Sequence, residues 1–168
     1  MQILISEEEI AKKVAAVAEE LNAHYVDQEV ILVTILKGGI CFVADLIRHL
    51  TFPFQLEFVT CASYGMRGTK PGELTLSGFD NLDIKDKHVL LIDDIYDTGQ
   101  TLSRAYHTLA AQSPTSVRSS VLLRKKITPK GDITPDFVCF DIEDHFVVGY
   151  GLDHKEHLRG LKAIHVYG

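Results

Sequence analysis

Residues Val89 to Leu102 read Val-Leu-Leu-Ile-Asp-Asp-Ile-Tyr-Asp-Thr-Gly-Gln-Thr-Leu, and no other stretch restricts the possible folds as much. An unbroken apolar run suits a strand covered on both faces, as in a parallel sheet. The run stops at two carboxylates, and Asp97-Thr98-Gly99-Gln100-Thr101 then opens a helix. Open α/β sheets bind ligands at the C-terminal edge of their strands. A helix that starts with Thr98, Gly99 and Thr101 offers unpaired N–H groups and a positive dipole end, which favour a phosphate. Carboxylates beside a phosphate repel it unless they face hydroxyls, a metal ion or a proton to be removed. The stretch therefore predicts a phosphorylated sugar bound with a divalent cation.

The chain has 168 residues, 46% of them hydrophobic, enough for one well-buried domain and short for two. Net charge is -6 and the longest basic run is Arg124-Lys125-Lys126, so no nucleic-acid partner is expected. Cys41, Cys61 and Cys139 are far apart and lie in or near apolar runs, as core thiols of a reducing compartment do. The start of the chain, Met1 to Glu9, is acidic where a secretory signal is basic. No apolar run approaches membrane-spanning length, and the expected location is the cytoplasm with no membrane partner.

Ser6 and Glu9 form a capping-box pattern, followed by Ile10, Val14, Val17 and Leu21 at helical spacing. Val30 to Leu36 predicts a strand, and Ile40 to Leu50 a helix. Between them Lys37-Gly38-Gly39 is open to two readings: a tight connection, or an anion nest of bare N–H groups and a lysine. Phe52 to Thr60 predicts another strand. The glycine-containing stretch from Ala62 to Gly72 predicts a loop of the length that often serves as a lid. Strands are expected at Leu74 to Leu76, Ser116 to Leu123, Pro135 to Phe140, Phe146 to Gly151 and Ile164 to Tyr167. The basic trio ends one of these strands, so a binding role for it competes with a solvated charge run. His154 and His157, three apart without a third ligand, read as surface residues.

With its flanking strand and helix, Val89 to Thr101 resembles the phosphoribosyl-diphosphate signature of the type I phosphoribosyltransferases. Leu36 to Gly39, Ser63-Tyr64, Lys125, Pro135 to Val138, Phe146 to Asp153 and Arg159 are similar to the hypoxanthine-guanine branch of that family. The resemblance implies a doubly wound α/β domain with a mostly parallel central sheet of about five strands. A small hood from about residues 1–25 and 140–168 would cover the strands' C-terminal edge, and a flexible lid would span about residues 62–76. The implied activity is purine salvage: phosphoribosyl diphosphate and a 6-oxopurine, with magnesium, give IMP or GMP and pyrophosphate. Hypoxanthine and guanine are the implied acceptors, xanthine is not separated from them, and the implied assembly is a homodimer or homotetramer.

By the same resemblance, Asp97 manages a proton at N7 of the purine, and Asp97, Thr98, Gly99, Gln100 and Thr101 hold the 5′-phosphate. Asp93 and Asp94 lie near the ribose hydroxyls and the metal, and Asp153 ligates magnesium. Lys125 donates to O6, Phe146 stacks on the ring and Val147 faces the purine edge. Lys126 is an adjacent competitor for the lysine role. Lys37, Gly38 and Arg159 take pyrophosphate, the Leu36–Lys37 peptide bond is expected to be cis, and Ser63 and Tyr64 begin the lid. Asp93 departs from the pattern, since many purine enzymes of this group have glutamate there. Two other readings keep part of the motif: a nucleotide-sensing regulator that binds nucleic acid, and a receiver-like domain. Neither requires Lys125, Phe146 and Asp153 together.

Overall fold

The computed structural model describes residues 1–63 and 74–168, apart from the side chain of Ser63. The central sheet is built on two apolar strands, β2 (Val30–Leu36) and β5 (His88–Tyr96), which lie side by side and parallel. β1 is Gln2–Ile5, β3 is Phe54–Ser63, β4 is Leu74–Ser77, β6 is Ser116–Lys125, β7 is Phe137–Ile142, β8 is Val147–Val148 and β9 is Ile164–Val166. The helices are α1 (Glu7–His24), α2 (Ile40–Leu46, followed by a 3-10 turn at Ile47–His49) and α3 (Gln100–Ala110). Sheet order is β4-β3-β2-β5-β6-β7, parallel except for the antiparallel β3–β4 edge. That edge pair supplies the sixth strand, beyond the five or so expected.

Alternation along β2 and β5 divides the core in two. Val30, Leu32, Leu90 and Ile92 pack on one face with Ile10, Val14, Val17 and Leu21 of α1 and Phe42, Val43 and Leu46 of α2. Ile31, Val33, Ile35, Val89 and Leu91 pack on the other with Leu102, Ala105 and Leu109 of α3. Strands covered on both faces need this near-continuous apolar character. Between them the chain switches direction: β2 leads through α2 to β3 on one side, and β5 leads through α3 to β6 on the other. The connections leaving β2 and β5 therefore diverge to opposite faces and open a crevice at their C-terminal ends, the position at which such sheets bind ligands.

The capping box forms as expected, with Glu9 N–H donating to Ser6 Oγ at 3.1 Å and Ser6 N–H donating to Glu9 Oε1 at 3.2 Å. The small second sheet has the order β1-β9-β8 and draws on both ends of the chain. Of residues 1–25, expected in the hood, Gln2–Ile5 enters this sheet, whereas α1 lies on the central sheet because its apolar stripe needs that surface. β8 is shorter than the expected Phe146 to Gly151, since Gly149, Tyr150 and Gly151 all take positive φ and end the extended backbone. The ends of the expected lid pair as strands, from Thr60↔Ser77 to Ser63↔Leu74. Tyr64 and the side chain of Ser63 lie outside the described residues.

Candidate active site

β5 continues through the paired acids to Tyr96 instead of stopping before them. Asp93 pairs with Val121 and Ile95 with Leu123 of β6, so the register runs unbroken past the two acids. There Asp94 N–H donates to Asp93 Oδ1 at 2.8 Å, and Ile95 N–H donates to Asp94 Oδ1 at 2.7 Å. Burial, and then the adjacent Asp94 charge, push the Asp93 carboxyl well above the usual carboxylate range. Burial also raises Asp94, while hydrogen bonds from its neighbours and the Arg159 charge act the other way. A buried acid beside a half-buried one favours a cation, a proton or hydroxyl donors between them and the solvent.

Gly99 has φ +84 and caps α3 without a side-chain hydrogen bond. A Cβ there would meet Tyr96 Oη at 2.6 Å, so both the backbone and the close approach require glycine. Gln100 N–H donates to Thr98 Oγ1 at 3.4 Å, a weak bond that leaves the first turn of α3 available to an anion. Across the crevice the Leu36–Lys37 peptide bond is cis, as expected. Gly38 is pressed against β5: a Cβ on it would lie 1.8 Å from Asp94 Oδ2.

A cavity of about 310 Å³ at this edge is lined by Lys37, Gly38, Asp93, Asp94, Asp97, Thr98, Gly99, Thr101, Asp153 and Arg159 among others. Cys61 also lines it, and burial together with Asp93 pushes its thiol up to about 12, so it stays neutral. A second cavity of about 200 Å³ shares Asp94, Asp97 and Asp153 and adds Lys125, Phe146 and Val147. Apart from the lid residues Ser63 and Tyr64, the expected site residues therefore gather in two adjoining spaces, with Gln100 as the exception among those described. Gln100 lines a separate groove with Ser103, Arg104 and His107.

Lys125 ends β6 with a side chain only 11% exposed, its ammonium 3.2 Å from Asp97 Oδ2 and 3.1 Å from Asp144 Oδ1. Burial acts against its charge, but the Asp144 and Asp97 carboxylates outweigh that and hold its pKa above the ordinary lysine value. Lys126 is more exposed and pairs with Glu143 at 3.1 Å, and it does not line the second cavity. Phe146 is 53% exposed, with its ring edge-on to His154 and Tyr167. His154 stacks on Tyr167, and its backbone exchanges hydrogen bonds with His157.

Two participants went unrecognised in the sequence. Asp144 holds Lys125, and Glu156 joins Lys37 to Arg159, with Oε2 2.6 Å from Lys37 Nζ and Oε1 2.8 Å from an Arg159 nitrogen. Arg159 also donates to Gly151 O at 2.8 Å, and Asp153 Oδ2 accepts from Glu156 N–H at 2.8 Å. Positive φ at Lys155, Glu156 and Leu158 shapes the turn that makes these contacts. No pattern of residue types marks such a turn, since none of the three is glycine or asparagine.

The model of the phosphoribosyl transferase domain family matches residues 3–155. The hypoxanthine-guanine phosphoribosyltransferase of Bacillus subtilis is 38% identical over 165 residues, which cover 98% of this chain and 92% of that protein. The hypoxanthine phosphoribosyltransferase of Haemophilus influenzae is 33% identical over 167 residues, covering 98% and 93%. The crystal structure of a Bacillus anthracis hypoxanthine-guanine phosphoribosyltransferase, with a HEPES molecule in its active site, superposes with a TM-score of 0.91 at 32% identity. That superposition covers 100% of this chain and 99% of the other. Family match, full-length relatives and superposed fold agree with the crevice between β2 and β5, and the chain belongs to the phosphoribosyltransferase family.

Proposed function

We propose that the chain transfers the 5-phosphoribosyl group from phosphoribosyl diphosphate to N9 of hypoxanthine or guanine, releasing pyrophosphate and forming IMP or GMP. The observation that carries this reading is Lys125, which lines the second cavity with Phe146 and Val147 and is paired with Asp97, a residue that both cavities share. The relatives named for hypoxanthine and guanine support it. Nothing in the family match or the fold favours a nucleic-acid-binding regulator or a receiver-like domain.

In this mechanism the first turn of α3, with Thr98, Gly99 and Thr101, holds the 5′-phosphate through N–H groups and hydroxyls. Asp93 and Asp94 face the ribose, where their negative field favours the positive charge that grows on the sugar as the C1′–O bond to pyrophosphate breaks. The Lys37–Gly38 backbone and Arg159 receive the departing pyrophosphate, and Arg159 has to exchange Glu156 for it. As N9 forms the new bond to C1′, the proton on N7 passes to the Asp97 carboxylate. Phe146 supports the ring, Val147 meets its edge, and Lys125 donates to O6.

Magnesium fits the donors present. Asp153 lines the first cavity with Asp93 and Asp94, whose carboxyls are raised chiefly by burial, so a cation there would favour their charged forms. Magnesium usually takes one or two protein carboxylates and completes its shell with substrate oxygens and water. Bound there, it would neutralise the diphosphate and make it a better leaving group. We also assign the protein to a reducing cytoplasm as a homodimer or homotetramer. Its three cysteines are free thiols, and no helix among the described residues is long and apolar enough to cross a membrane.

Lys125→Ala tests the base assignment. Loss of a charge-assisted hydrogen bond to O6, about 1.5–3 kcal/mol, predicts a rise of about 10- to 100-fold in KM for hypoxanthine and guanine. Discrimination against adenine should also fall, because an ammonium donor prefers a carbonyl to an amino group at position 6. A variant that still excluded adenine as well as the parent would remove Lys125 from base recognition.

A further inference from the structure

We propose that Asp144 is a positioning residue for purine selection, acting through Lys125 to aim the proton that reads the 6-oxo group. The assignment deepens the proposed function and rests on it. An ammonium has three N–H donors. In Lys125 one is directed to Asp97 Oδ2 at 3.2 Å, and Asp144 Oδ1 is ion-paired with the same ammonium at 3.1 Å, so two carboxylates bracket it. Two carboxylates fix where the ammonium sits; with Asp97 alone it swings about that contact. Asp97 lies on the N7 side of the proposed base position, so Asp144 is the partner that keeps Lys125 from collapsing onto it.

The place of Asp144 in the chain strengthens this assignment. It sits in the turn between β7 and β8, two residues before Phe146, and His145 N–H donates to Glu143 O at 2.8 Å within the same turn. Lys126 Nζ lies 3.1 Å from Glu143 Oε1, so successive lysines at the end of β6 fasten successive acids of this turn. The contact to Asp144 thus couples the group that reads O6 to the loop that carries the stacking ring. The sugar-donor site at Thr98 to Thr101, Gly38 and Arg159 has no contact with Asp144 among the hydrogen bonds and ion pairs of the described residues.

Asp144→Asn and Asp144→Glu, assayed as full chains with magnesium and phosphoribosyl diphosphate, separate this role from a structural one. For Asp144→Asn, KM for hypoxanthine and guanine should rise about fivefold, the upper end for a partly exposed ion pair. Turnover, KM for phosphoribosyl diphosphate and melting temperature should stay at parental values, and Asp144→Glu should restore the base KM. Unchanged base KM in an active Asp144→Asn variant overturns the assignment alone. An equal rise in KM for phosphoribosyl diphosphate, an earlier melt with lower turnover, or no recovery in Asp144→Glu overturns it in favour of a structural role. A parent protein that forms no nucleotide from either base refutes the proposed function itself, and this assignment with it.

Discussion

Asp97→Asn is expected to lower turnover with hypoxanthine by about 10²- to 10⁴-fold, the range for losing a positioned general base. KM for phosphoribosyl diphosphate should be unchanged. The variant is informative because asparagine keeps the shape of aspartate and an oxygen that can still accept from Lys125, now 3.2 Å from Asp97 Oδ2. Packing and the Lys125 contact survive, and the capacity to take the N7 proton does not. Asp97 is largely exposed, beyond the end of β5, so the substitution disturbs no core contact. Initial rates at saturating phosphoribosyl diphosphate give the result directly, and full turnover in the variant would take Asp97 out of proton transfer.

The second large effect is expected from Gly38→Ala. A methyl group there would lie 1.8 Å from Asp94 Oδ2 and 3.3 Å from Asp94 Cβ, so the carboxylate or the turn has to move. Asp94 is not free to rotate without loss, since its Oδ1 accepts from Ile95 N–H at 2.7 Å. Displacing either side shifts the pyrophosphate turn against the sugar site, and a misplacement of about 1 Å can cost about 10²-fold in rate. We therefore expect kcat/KM for phosphoribosyl diphosphate to fall by about 10²-fold or more. The accompanying stability loss should be about 1–3 kcal/mol, as for an overpacked site. Steady-state kinetics and a thermal melt measure the two effects separately, and parental kinetics in this variant would mean that the two loops do not need their close approach.

The readings of Lys37-Gly38-Gly39 as a nest or a simple connection are balanced in the sequence alone, and this contact adds a packing reason for Gly38 that neither contains. Two glycines could serve a turn anywhere, but the proximity of Gly38 to Asp94 depends on β2 and β5 being neighbours. That adjacency is a property of the sheet order. Local sequence does not carry it.

The same distinction explains what the residues disclosed and what they concealed. The buried strands were visible because Val30 to Leu36 and Val89 to Ile92 are apolar throughout, as a doubly covered sheet requires. The start of α3 was visible because glycine at Gly99 serves a backbone of positive φ. The end of β5 was misplaced: a carboxylate pair looks like a strand terminus, yet pairing with Val121 and Leu123 of β6 carries the strand past it. Choosing Lys125 over Lys126 required the resemblance. In the fold the choice is physical, since Lys125 is nearly buried between two acids and Lys126 is paired at the surface.

Asp144 and Glu156 were hidden for a different reason. Each is an ordinary acid in a connecting segment, and its importance arises from partners far away in sequence: Asp144 from Lys125, Glu156 from Lys37. The exposed Lys37–Glu156 pair adds little to stability by itself. Its interest is chemical, because one carboxylate engages both Arg159 and the lysine of the turn proposed to receive pyrophosphate.

The central claim is that the sugar-donor crevice and the Lys125 pocket serve one reaction on 6-oxopurines. It is tested most directly by incubating the purified protein with magnesium and phosphoribosyl diphosphate and offering hypoxanthine, guanine, xanthine, adenine and uracil separately. The predicted result is IMP from hypoxanthine and GMP from guanine, each with one equivalent of pyrophosphate, and little or no product from adenine or uracil. Nucleotide formed from adenine or uracil in preference to the 6-oxopurines, or no nucleotide from any base, would contradict it.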